Sequence, residues 1–458
     1  MIQTETITRQ PGFWQRLVRG AGIHDGEGVA FSLLFGQSFF LGIALITYYS
    51  SANALFLSHF SAQKLPYVYM IAAAIIISAG LIFLRLQSSL PFSTLLIGNL
   101  GLMFLMITAL RLLLAWSSAH WIYFFMLVWV RVLWVLGNLG LWTLAGRLFT
   151  SRQGKRLFSL IMAGGVLSII LVGFLNSSLI RWFGTPNLLW VTSASLLAAF
   201  WLLVVTTRRF KAALALPEAE SKTISKPDQP RGKPIFRDRY VWFIFLFTIL
   251  STIGTYVLDY AFIGQAGAKL TDADQLSKFF GSYMGVSTLV TLVVLLLISN
   301  RFFRRFGVRG GLLVDPILVA LGTLGVILLS NFPDMAGIIF WVVVATKMSD
   351  EVSVVAMNNT SVRIMYQPLP QHARSRVQTT VESVVAPLSM GISGGLLLLF
   401  TALWNLTPLQ AVYILAVILV GWLLMGILLG RQYYGALQNA LDRRYLDGSE
   451  VDIFAESA

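Results

Sequence analysis

Arg131 stands in the middle of the apolar run WIYFFMLVWVRVLWVLGNLGLW, and between Glu27 and Glu218 the chain has no acidic residue to neutralise it. An unpaired cation at bilayer depth is costly and marks a functional position by default. Counted from His120, Arg131 lies roughly 17 Å along a helix rising 1.5 Å per residue, near the middle of a hydrocarbon core about 30 Å thick. Its counter-charge must be backbone, a carboxylate from the second half of the chain, or an anion that enters and leaves. Lys347 is a second cation near mid-membrane, followed by Asp350 and Glu351 on the same helical face. Together the two cations can make charge-assisted hydrogen bonds to phosphate or carboxylate oxygens. Each also has a plainer reading. Lys347 forms an intrahelical salt bridge with its own acids, or Arg131 pairs with Asp350 or Glu351 and holds the two halves together.

Other side chains extend this set. Trp134 shares the Arg131 face, where its ring can stack on a base or on the guanidinium. Asn138 and Asn359 complete the expected binding group. Asp259, toward the outer end of its segment, reads as a gate or surface carboxylate, or as a proton-coupling one. Glu382 with Arg374 and Arg376 reads as an inner-gate ion pair, and Arg363 and Arg156 are counted with the gating residues. Arg111 is close enough to a segment end to snorkel, and Arg147 reads as interfacial. The four histidines have no metal-ligand spacing. Gly154-Lys155-Arg156 lacks the rest of a phosphate-binding loop, and no nucleophile-base set suggests an enzyme. No cofactor is expected.

These residues need apolar elements to carry them. Of 458 residues, 57% are hydrophobic and only 12% charged, against about 25% charged in soluble domains. The fold class is therefore an all-α polytopic membrane protein. Twelve spans are expected near 28–50, 65–86, 91–116, 119–147, 157–181, 186–206, 240–263, 279–300, 310–331, 334–364, 379–403 and 407–430. Placing both termini in the cytoplasm puts about 27 of the 34 Lys and Arg on the inner side. The net charge of +14 thus reflects short basic loops, and nucleic acid is not an expected partner. There is no cysteine, so disulfides and thiolate metal sites are excluded. Residues 1–27 form a polar cytoplasmic segment, with Pro11 to Arg19 patterned as an amphipathic surface helix. Residues 207–239, carrying Pro217, Pro227, Pro230 and Pro234, form a cytoplasmic linker. It joins an N-terminal six-helix bundle (28–206) to a C-terminal one (240–430), and 431–458 form a tail.

The halves echo each other. Arg131 precedes Arg147 in the fourth span as Lys347 precedes Arg363 in the tenth, and a basic loop and a glycine-bearing span follow in both. A six-plus-six pseudo-repeat with a midplane site is the major facilitator architecture.

Two stretches carry a family resemblance. Leu141-Trp142 followed by Gly154-Lys155-Arg156-Leu157-Phe158, and Asn359-Thr360-Ser361-Val362-Arg363-Ile364-Met365-Tyr366-Gln367-Pro368-Leu369, resemble segments of the bacterial and plastid ATP/ADP translocases. The likeness continues through Arg374, Arg376, Glu382 and Gly394-Gly395. The chain departs from the family pattern at Ser361-Val362-Arg363, where a Thr-Lys-Glu is usual, and at Gly391-Ile392-Ser393, where a lysine is lost. The resemblance implies a major facilitator-like fold and a nucleotide or other phosphorylated anion as substrate. Bacterial chains of this kind often continue into soluble helical repeats, so a cytoplasmic domain or partner is expected after residue 430.

The expected function is a secondary transporter of an organic anion, of the ATP/ADP type, working by alternating access in a bacterial inner membrane. Two alternatives stand beside it. One is a proton-coupled exporter of a cationic or lipophilic compound. The other is a non-transporting receptor or anchor built on a transporter fold, engaging a cytoplasmic partner through its tail.

Overall fold

Long apolar runs must hydrogen-bond their own backbone in lipid, and an α-helix satisfies that demand within one segment. The computed structural model describes residues 24, 27–87, 89–117, 119–211 and 238–455. The amphipathic stretch at Pro11 to Arg19 and most of the expected linker lie outside the described residues. The first half forms α1 (Gly28–His59), α2 (Leu65–Gln87), α3 (Phe92–Trp116), α4 (His120–Leu148), α5 (Ser151–Phe183) and α6 (Leu188–Arg209). The second half forms α7 (Arg239–Lys269), α8 (Ala273–Val294), α9 (Asn300–Leu329), α10 (Ala336–Ser353), α11 (Asn359–Met365), α12 (Gln371–Thr380), α13 (Ala386–Trp404) and α14 (Ala411–Ala455).

Among the described residues ten helices are long and apolar enough to cross a membrane. Two of the expected twelve crossings are hidden in that number. The run Ala273–Leu329 has 57 residues, about 85 Å of helix and far too long for one passage. It turns at Gly307, whose φ of 63° and ψ of −165° lie where a side chain would be strained. The tenth crossing runs from α10 through Val354–Asn358 into α11, and Lys347, Asp350 and Glu351 lower its apolarity. The chain is thus a twelve-crossing, two-bundle membrane protein.

Three crossings of the second half contain a π-helical turn: Leu295–Ser299, Val354–Asn358 and Val381–Val385. Such turns mark bends and are frequent at functional sites.

The bundles meet through α5 with α8, α1 with α8, and α2 with α13. Close approach there depends on missing side chains. A Cβ on Gly173 of α5 would lie 2.5 Å from the Cα of Gly285 on α8. Next to this contact the Asn176 amide donates to the Ser277 carbonyl at 2.7 Å. The Thr185 hydroxyl donates to Asp274 at 2.7 Å, and Tyr49 of α1 meets Phe280 edge-on. Gly394 of α13 lies against the Pro66 carbonyl and Met70 of α2. The Asn176, Thr185 and Tyr49 contacts lie toward the end that carries His59, Thr185 and Lys269, and the Gly173–Gly285 contact lies deeper, near mid-membrane. The opposite end carries the arginine-rich turns and is called here the basic end.

Candidate functional site

Helix α4 delivers Arg131 to the bundle boundary, and α7 delivers Asp259 to meet it. The guanidinium Nη2 lies 2.5 Å from Asp259 Oδ2, which also accepts from the Tyr69 hydroxyl at 2.8 Å. Tyr69 of α2 and Tyr256 of α7 flank the guanidinium, with ring centroids 5.6 and 5.4 Å away. Desolvated rings at this distance add cation–π attraction. Arg131 and Tyr69 come from the first bundle, Asp259 and Tyr256 from the second. The ion pair therefore ties the bundles together.

Helix α10 adds the second cation. Lys347 Nζ lies 2.9 Å from Asp350 Oδ2, 3.7 Å from Glu351 Oε1 and 4.0 Å from Asp259 Oδ1. Asp259 thus stands between Arg131 and Lys347. Side chains from neighbouring helices hold the outlying acids. Thr255 donates to Asp350 at 3.1 Å, and Ser287 to Glu351 at 2.9 Å. Two cations face three carboxylates, so the cluster carries one excess negative charge when all are ionised.

The cluster is not wholly sealed. The Lys347 and Asp259 side chains are 5% and 6% exposed, but Arg131 is 18% exposed and Glu351 34%. Trp134, one turn beyond Arg131 on the same face, is exposed as well. Arg131 Nε is buried without a hydrogen-bond partner. Such a donor, beside an occupied guanidinium nitrogen, can take an oxygen from a further acceptor. A polyatomic anion that engages both Nε and Nη2 can displace Asp259 by offering a bidentate contact where the carboxylate makes a single one.

The structure gathers Arg131, Lys347, Asp259, Asp350 and Glu351 into one network. Asp350 and Glu351 were the acids suggested by sequence for Arg131; its partner here is Asp259, which is buried rather than at a surface. Other residues lie elsewhere. Asn359 is exposed on α11, as is Arg363. The side chain of Asn138 lies outside the described residues. Glu382 accepts from Gln378 at 2.9 Å, whereas Arg374 donates to the Tyr366 and Gln367 carbonyls. Arg376 is exposed on α12. Arg156 pairs with Glu27 at the basic end, where Gln153 also donates to that carboxylate. Arg111 donates to Asn187 and lines a recess of about 590 Å³ at the His59 end, beside Tyr123 and Asp272. Arg147 lies over the Phe92 ring at 3.7 Å.

Tyr69, Tyr256, Thr255 and Ser287 were not singled out by sequence reasoning. Their roles depend on helix rotation and neighbours, which a single chain's composition does not encode. Asp315 was also passed over, although an acid directly before Pro316 inside an apolar run is a visible signal.

Twelve crossings in two bundles, joined at mid-membrane by buried charge, form a membrane-protein fold of major facilitator type. Solved structures share this fold. The nucleoside transporter NupG matches with a TM-score of 0.61 at 11% identity, over 89% of this chain and 99% of that one. A bacterial homologue of the iron transporter ferroportin, in its inward-facing state, matches at 0.59 and 14% identity, over 87% and 99%. The inward-open xylose transporter XylE from E. coli matches at 0.56 and 12% identity, over 88% and 95%.

In sequence the chain is a divergent relative of the ADP,ATP carrier proteins. It is 24% identical to ADP,ATP carrier protein 1 of Chlamydia trachomatis over 361 residues, 71% of this chain and 67% of that one. The corresponding carriers of Chlamydia muridarum and Chlamydia pneumoniae are 23% and 22% identical, and each match spans 63% of the carrier. No family model matches the chain.

Proposed function

We infer that this protein is a secondary transporter for an organic anion of the nucleotide class, working by alternating access. The observation that carries the reading is the Arg131–Asp259 pair, which links the bundles through a partly exposed guanidinium whose Nε stays unpartnered. An arriving phosphate takes the guanidinium from Asp259. That exchange removes the ion pair between bundles at the moment the site fills, so binding and rocking are one event. Lys347, already 4.0 Å from Asp259, receives the released carboxylate. Without that acceptor a buried charge would be left unpaired, at a cost of several kcal/mol.

Loop charge assigns the basic end to the cytoplasm, with both termini there. With that orientation, the contacts gathered at the His59 end hold the outer side of the bundles together. Relatedness to bacterial ADP,ATP carriers supports nucleotides as the first substrates to test and the bacterial inner membrane as the location. A thermal-shift series with purified protein and nucleotides, sugar phosphates and dicarboxylates tests the substrate class. A ligand at about 100 times its Kd stabilises the native state by about 2.7 kcal/mol. Nucleotides are expected to raise Tm, and Arg131→Ala to abolish the rise. A panel in which nucleotides leave Tm unmoved removes this reading.

A further inference from the structure

Asp315 lies on α9 eight residues past the Gly307 turn, and its side chain takes no part in the anion site. It is fully buried. One carboxyl oxygen, Oδ1, accepts the Ser353 hydroxyl at 2.7 Å. The other, Oδ2, is buried with no hydrogen-bond partner. No cation lies within ion-pair distance of it among the described residues. A carboxylate in this setting would be a desolvated charge with a bare oxygen, whereas the protonated acid is neutral and of the same shape.

The charged groups facing Asp315 are Asp350 and Lys347, both on α10. Other packed elements add none. Helix α14, which touches α9 where Gly426 meets Leu312 and Leu313, has no acid or base between Ala411 and Gly430. The turns Leu295–Ser299 and Val354–Asn358 have none either. Arg363 of α11 is exposed, and Arg309 of α9 itself donates to the Gly430 carbonyl.

We propose that Asp315 is a proton-binding site whose occupancy decides which carboxylate Lys347 serves. The inference rests on the transporter reading above and deepens it. In the ionised form Asp315 is a further claimant for the single ammonium, beside Asp350. Lys347 is drawn toward α9 and away from Asp259, and Asp259 is left to Arg131 alone. The pair between bundles tightens and the His59 end stays closed. When one proton adds to the Asp315 carboxylate, its claim ends. Lys347 shares Asp259, Arg131 is released toward an incoming anion, and the His59 end separates more readily. The site thus couples uptake of one proton to acceptance of the anion.

Two measurements test this without a known substrate. The first is the infrared carbonyl stretch of protonated carboxyl groups, recorded on the full chain in liposomes from alkaline to acid pH. A band that grows in the native protein as pH falls and is missing in Asp315→Asn is expected; an identical spectrum in the variant overturns the proposal. The second is a spin-label distance between Trp116→Cys and Phe332→Cys, one on each bundle near the His59 end. The chain has no other cysteine. Lowering the pH should lengthen this distance in the native background. Asp315→Asn, which mimics the protonated acid, should hold the long distance at every pH. A distance that ignores pH in the native background, or follows it equally in Asp315→Asn, overturns the proposal.

ATP serves as a third probe. Its affinity should rise as pH falls, by at most about tenfold per unit for one coupled proton, and Asp315→Asn should flatten the dependence. If native protein does not bind ATP, the nucleotide reading fails while the infrared and distance results still decide the proton site.

Discussion

Arg131 and Asp259 are individually expensive in lipid and stable only as a pair. Removing either partner leaves the other charge buried and uncompensated, which costs about 3–5 kcal/mol. Arg131→Ala and Asp259→Ala should each lower Tm clearly, and the double variant should lower it by less than the sum. Full additivity in that cycle would mean that the two side chains do not interact. The cation was legible in sequence because nothing acidic accompanies it in its own half of the chain. Its partner was not, because Asp259 sits 128 residues away, and only the rotation of α7 turns it inward rather than toward a surface. Lys347 was easier to read. Its acids are three and four residues along the same helix, so local geometry alone brings them together.

At the level of elements, the contact of α5 with α8 works as a bearing. Gly173 and Gly285 let the backbones touch, and any side chain at Gly173 must separate them. Gly173→Val is expected to shift the population toward an opened His59 end, read as faster labelling of a cysteine placed at Ser277. Unchanged labelling would show that the close approach does not hold this end shut. The basic end has its own clasp, in which Glu27 receives Arg156 and Gln153 of α5 and the His24 backbone N–H. The His24 amide, followed by Gln153 and Arg156, holds the Glu27 carboxyl below its ordinary range. A carboxylate with a lowered folded pKa stabilises above its unfolded value and loses that contribution as pH falls through the folded one. Glu27→Gln should therefore lower Tm at neutral pH and lose its effect in acid. An equal effect at both pH values would show that charge is not what matters there. The crossings themselves were legible from apolar length, but the π turns were not. A π turn needs one extra residue in a helical loop, and neighbouring helices rather than local composition select its place.

For the whole molecule, the two bundles meet through helix contacts of α5 and α1 with α8 and of α2 with α13, and through the buried ion pair between α4 and α7. The architecture was visible in the chain through loop charge, span number and the repeated spacing of basic residues in the two halves. The sign of the site was not. Sequence suggested a positive pocket, because Arg131 and Lys347 stood out against an acid-free first half. In the fold three carboxylates surround those two cations. On the proposed reading, an anion competes for charge that is already occupied, and that competition links binding to motion. The most direct measurement is counterflow of labelled ATP into liposomes preloaded with unlabelled ATP. The native protein should accumulate label, and Arg131→Ala should abolish accumulation while leaving reconstituted protein in the membrane. Accumulation that persists undiminished in Arg131→Ala would contradict the account at its centre.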